Sequence, residues 1–209
     1  MFCQFEKHAI SASQMLADAK PEIKGLGEEQ VKRTKDKVFQ NILDSIEGGG
    51  YPTESEDNCN NAMVRSLVAS ILLPILAAFR HETGRSVRLQ RGDRKVGDTI
   101  SANFIGYGDR RLVFIVEAAQ PSIWPAKRAC MLALKEIGDN NPGGIVYGLV
   151  TSGDAWQIIR YQREIFTQTD PVQVVFRTME RDKAKWLKES SIIVDFLDAA
   201  MRSEGFVAA

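Results

Sequence analysis

The chain has 209 residues, 44% of them hydrophobic and 26% charged, with 16 Gly and 7 Pro, a balance that excludes disordered, collagen-like and disulfide-scaffold chains. Lys plus Arg and Asp plus Glu both total 27, so no global field draws the molecule to a polyanion or an anionic membrane, and any such site must be local. Cys3, Cys59 and Cys130 are far apart and lack CxxC or Cys/His ligand spacing, which argues against zinc and for a reducing, intracellular setting, cytoplasmic or nuclear.

Glu6, Lys7 and His8 stand where a signal peptide would have its apolar core, so export by that route is not expected. Residues 31 to 46 carry Val31, Phe39, Ile42, Leu43 and Ile46 near helical spacing in a polar background, which predicts an amphipathic helix. Gly48, Gly49, Gly50 and Pro52, followed by a polar run, form the strongest linker signal. The expected organisation is therefore a helical extension with its Gly-rich linker over 1–50 and a compact domain over 51–209. Ser55, Glu56 and Asp57 read as a helix start, and a helix over about 58–81 follows. Its apolar stretch Leu67 to Phe79 is 13 residues long and includes Pro74, short of the roughly 20 needed to cross a bilayer. It reads as a core helix, with no membrane partner.

Beyond Gly84 the period changes. Val87–Leu89, Thr99–Tyr107 and the unbroken apolar run Leu112–Val116 read as strands, the last covered on both faces. Gly108 and Asp109 suit the turn of a hairpin between the second and third. A helix over about 126–137 opens behind Pro125. Strands at 145–150 and 155–161 flank the turn Thr151–Asp154, 172–176 extends the sheet, and a last helix runs over about 183–202. This order predicts an α/β fold with a mixed central sheet flanked by helices, plus the N-terminal helix.

The chemistry-bearing stretch is Asp98, a strand, a turn, and an apolar run ending in Glu117. A hairpin returns the chain to its starting edge, and two carboxylates converging there could hold a hard divalent cation able to activate water against a phosphodiester. The plainer alternative is a loop-end acid and a solvated strand terminus. An acid at the rim of a buried strand is costly unless paired or metal-bound, however. Arg85, Arg88, Arg91 and Arg94 recur every third residue and Lys95 follows; over residues 85–111 seven basic side chains face three acids. Such a strip can follow a phosphate backbone, or serve as the charged guard of an edge strand. Trp124, between Ile123 and Pro125, is the one tryptophan placed for a site; Trp156 reads as core. His8 and His81 support no triad, and no phosphate-binding glycine motif is present.

Asp98, the strand pair and Val113-Phe-Ile-Val-Glu-Ala-Ala119 resemble the core of the PD-(D/E)XK, or restriction-endonuclease-like, superfamily. The segment Gly144 to Tyr161 is similar to the strand hairpin after the crossover helix in fungal and crinkler-type nuclease-like modules. The resemblance covers about residues 55–165. It implies a helix, a three-stranded meander, a crossover helix and a further strand, with Asp98 and Glu117 as catalytic and metal-binding acids, Glu56 completing the metal shell, and Mg2+ or Mn2+ as cofactor. The family lysine should stand at position 119, where this chain has Ala119. Lys127, in the first turn of the following helix, is the candidate substitute.

Three functions stay open: a metal-dependent nuclease, a catalytically inactive nuclease-fold module that binds nucleic acid or protein, and a regulatory protein that pairs with a second copy or a partner through its N-terminal helix.

Overall fold

In a computed structural model of the chain, residues 4–5, 9–19, 28–51, 60–85, 87–94, 97–105, 110–118, 123–139 and 145–202 are described. Strand β1 (Gln4–Phe5) is followed by helices α1 (Ala12–Ala19), α2 (Glu28–Gly49) and α3 (Asn60–Thr83). Strands β2 (Val87–Arg94), β3 (Gly97–Ile105) and β4 (Arg110–Ala118) lead to helix α4 (Ile123–Asp139). Strands β5 (Val146–Thr151), β6 (Ala155–Gln162), β7 (Ile165–Gln168) and β8 (Val172–Gln173) come next. The chain closes with a 3-10 turn (Met179–Arg181), α5 (Lys183–Lys185), a π turn (Trp186–Ser190) and α6 (Ile192–Arg202).

The strands form one mixed open sheet in the order β1-β7-β6-β5-β4-β3-β2, with β8 beside β6. β2, β3 and β4 are an antiparallel meander. β4 and β5 are parallel, so a crossover must link them, and α4 is that crossover. β5, β6 and β7 are antiparallel, while β1 adds to β7 in parallel.

Helices cover both faces. On one, Met15 of α1, Val38 and Ile42 of α2, Leu67 and Ile71 of α3 and Phe196 of α6 pack with Val116, Leu149, Trp156 and Ile158 of the sheet. On the other, Ala126, Cys130 and Leu134 of α4 lie on Val146, Val150, Ile159, Tyr161 and Phe166. Gly148 is required there, because a Cβ would run into Cys130 Sγ and Leu134.

The expected division at residue 50 is not how the core is built. Ala12, Met15, Leu16, Val38, Phe39, Ile42 and Ile46 belong to the same buried cluster as α3 and α6. The amphipathic face of residues 31–46 is thus covered from within, and the surface expected to receive a partner is absorbed by the molecule's own core. The apolar helix is also longer than the 13-residue count suggested: Ala62–Thr83 is long and apolar enough by length and composition to cross a membrane, and half of its most apolar window is buried in the molecule. Val64, Leu67, Val68, Ile71, Leu72, Ile75 and Phe79 supply that buried face.

The strand expected at 172–176 is paired only over Val172–Gln173. Its continuation is held differently: the amides of Val174 and Val175 both donate to Asp154 O, at 2.7 and 3.0 Å. The last helix is interrupted by the π turn. Trp186 Nε1 donates to Val174 O at 3.0 Å and Ser190 Oγ to Gln173 O at 2.6 Å. The wider turn lets both side chains reach the same strand.

Candidate nucleic-acid interface

Strand alternation turns the pairing register into an assignment of faces, since residues paired across strands share a face and their neighbours in sequence take the other. Glu117 pairs with Thr99 on one side and Val150 on the other, and Val150 pairs with Gln157. Val150 packs against α4, so the row Gly92, Thr99, Glu117, Val150, Gln157 lies on the α4 face. The next row inward on that face is Gln90, Ser101, Ile115, Gly148, Ile159, Gln168.

Asp98 pairs with Ala118, and Ala118 belongs to the core of the opposite face. The two acids are therefore on neighbouring strands at the same end of the hairpin, yet at positions that alternate across the sheet. Among the described residues no group of three or more His, Cys, Asp or Glu could hold a metal ion. Glu56 and Lys95 lie outside the described residues.

Glu117 is 1% exposed. It stands between buried Val116 and Ala118 at the end of β4. Gln157, in the same row and also buried, donates from Nε2 to Thr169 O at 2.7 Å. Sequence reading passed over Gln157 because it sits inside an otherwise apolar strand, and only the register reveals that it shares a row with Glu117.

Lys127 is half-buried on α4, and that burial holds its ammonium below the usual lysine range. Its Nζ donates to Gln168 Oε1 and stands 5.4 Å from the centroid of the Trp124 ring. Gln168 is on β7, three strands from β4, or about 14 Å at roughly 4.8 Å per strand.

The arginine strip divides. A residue repeat of three cannot line one face of a strand whose side-chain period is two. Arg88 and Arg94 take positions on the α4 face, opposite Asn103 and Gly97; Arg91 takes the other, opposite Ile100. Buried Val87 and partly buried Leu89 place this other face toward the cluster that α1, α2, α3 and α6 cover. Arg85 precedes the strand, half-buried, with its amide donating to Thr83 Oγ1 at 3.2 Å. α4 packs chiefly on β5, β4 and β6. The α4-side positions of β2 and β3 beyond it are Arg88, Gln90, Gly92, Arg94, Gly97, Thr99, Ser101, Asn103 and Ile105, polar or glycine but for Ile105 at the strand's end.

Compared with family models, with curated proteins and with solved structures, the chain matches none.

Proposed function

We propose that this molecule is a nuclease-fold module that binds nucleic acid along the α4-side face of β2 and β3, with a degenerate catalytic centre. The observation that carries the reading is the register, which groups Arg88 and Arg94 with Gln90, Thr99, Ser101 and Asn103 on the α4 side of β2 and β3, where Ile105 at the end of β3 is the one apolar position. Cations there neutralise phosphates and neighbouring amides and hydroxyls hydrogen-bond to them. The order of helix α3, meander β2–β4, crossover α4 and strand β5 is the order that the restriction-endonuclease-like resemblance implies, and it supports that core. Ala119 in the lysine position favours binding over cleavage. An intracellular location, cytoplasmic or nuclear, belongs to this reading.

The burial of Glu117 at the end of β4 favours a second reading, a nuclease dependent on Mg2+ or Mn2+. One experiment separates the two. Anisotropy of labelled DNA and RNA, titrated over a range of salt, should give affinity that falls steeply with ionic strength. Arg88→Ala with Arg94→Ala should lower it and reduce the salt slope by about two, whereas Arg91→Ala leaves the slope unchanged. Absence of binding at low salt overturns the proposal. Metal-dependent cleavage by the wild type that Glu117→Ala abolishes would establish the second reading in its place.

A further inference from the structure

We propose that Trp124 is a stacking platform for an unpaired base, so that the nucleic acid this molecule takes is single-stranded. The inference rests on the nucleic-acid reading above and narrows its substrate class. Trp124 is 71% exposed, whereas the other two tryptophans, Trp156 and Trp186, are 0% and 1% exposed. An indole left in water forgoes the largest apolar burial any side chain can make. Here it sits in the first turn of α4, on the same side of the sheet as the polar β2–β3 face, with Lys127 beside it held to Gln168 of β7.

Its surroundings suit a nucleotide. Lys127 Nζ lies 5.4 Å from the ring centroid and is itself held by Gln168, so ring and cation are positioned together. Arg128, the next residue, is exposed. A base lying on the indole would bring its phosphate among these cations, which is how sequence-tolerant single-strand binders combine stacking with charge. In a duplex both faces of each internal base are already occupied by neighbours, so a lone indole finds no face to cover. Stacking accepts DNA and RNA alike, because every base has a π-face.

The chain's own fluorescence tests this. With Trp156 and Trp186 buried, added ligand reaches only the Trp124 indole. Short oligo(dT) and oligo(U) should each quench the emission saturably, and a duplex with the same number of phosphates should not. Trp124→Ala should abolish the quenching and weaken single-strand binding about tenfold or more, with duplex binding and the salt slope unchanged; Trp124→Phe should retain most of the affinity. Salt-dependent oligonucleotide binding without quenching, and indifferent to Trp124→Ala, overturns stacking while the nucleic-acid reading stands. No binding of any strand by fluorescence or anisotropy overturns both. Quenching by one of the two oligonucleotides alone supports the platform and assigns its source as DNA or RNA.

Discussion

Asp198 is 6% exposed on α6 and accepts two hydrogen bonds from Arg202 Nε, at 3.1 and 2.9 Å; the same guanidinium reaches Glu82 Oε2 of α3 at 2.7 Å. The guanidinium also lies 5.9 Å from the centroid of the Phe79 ring. Burial pushes the Asp198 carboxyl above its ordinary range, and Arg202 only partly opposes it. Between the unfolded and the raised native pKa, the folded protein keeps a proton that the unfolded chain has released. Stability therefore falls as pH rises through that window and levels off above it. Urea midpoints measured against pH should show this decline in the wild type and a flatter profile in Asp198→Asn. Asp198→Ala removes the acceptor instead, leaving a mostly buried guanidinium with Glu82 alone, and should cost about 1–3 kcal/mol. At the sheet, the place of Glu117 in the sequence was legible as an acid ending an apolar run. Its relation to Asp98 was not, because one residue of register decides which face each acid takes.

The hairpin β6–β7 is closed by two residues, Arg163 and Glu164, between the pair Gln162 and Ile165. Both have positive φ, 48° and 66°, the geometry that Asn-Gly adopts without strain and branched or long side chains resist. Arg163→Asn with Glu164→Gly should raise stability by about 1 kcal/mol, a shift of roughly 2–4 °C in thermal midpoint for a chain of this size. The same turn explains why β7 escaped the sequence: it lacks Gly and Asn, and Ile165–Gln168 is too short for a periodic signal. The two residues of β1 are shorter still and find their place only by pairing with β7. Elements with long, regular patterns, α2, α3, β4, α4, β5 and β6, were readable because the period survives over many residues. The π turn was not, since it depends on where Val174 and Gln173 stand to receive Trp186 and Ser190.

At the scale of the molecule, the described residues ahead of position 50 are structural members of the fold. β1 and α1 belong to the sheet edge and the core, with Ile10 N donating to Gln168 O and Asp170 N to Ile10 O, both at 3.0 Å. Lys35 of α2 pairs with Asp195 of α6 at 2.7 Å. Met15 is fully buried, so Met15→Ala should cost about 2–5 kcal/mol by chemical denaturation. A chain shortened to begin at residue 51 should fail to give a cooperative transition, because α3 and α6 would lose the side chains that cover them. A net charge of zero hides an uneven distribution in which arginines gather on β2, the terminal strand of the sheet, where lone edge pairing with other chains is discouraged by charge. The close seat of Gly148 against Cys130 has one more outcome. The thiol is sealed between α4 and β5, so a reagent can reach it only when the helix lifts from the strand. In a background of Cys3→Ser and Cys59→Ser, the rate of alkylation then becomes a clock for that opening. It should be slow in the native protein, and Gly148→Ala, which wedges the helix outward, should speed it while the far face of the sheet stays closed.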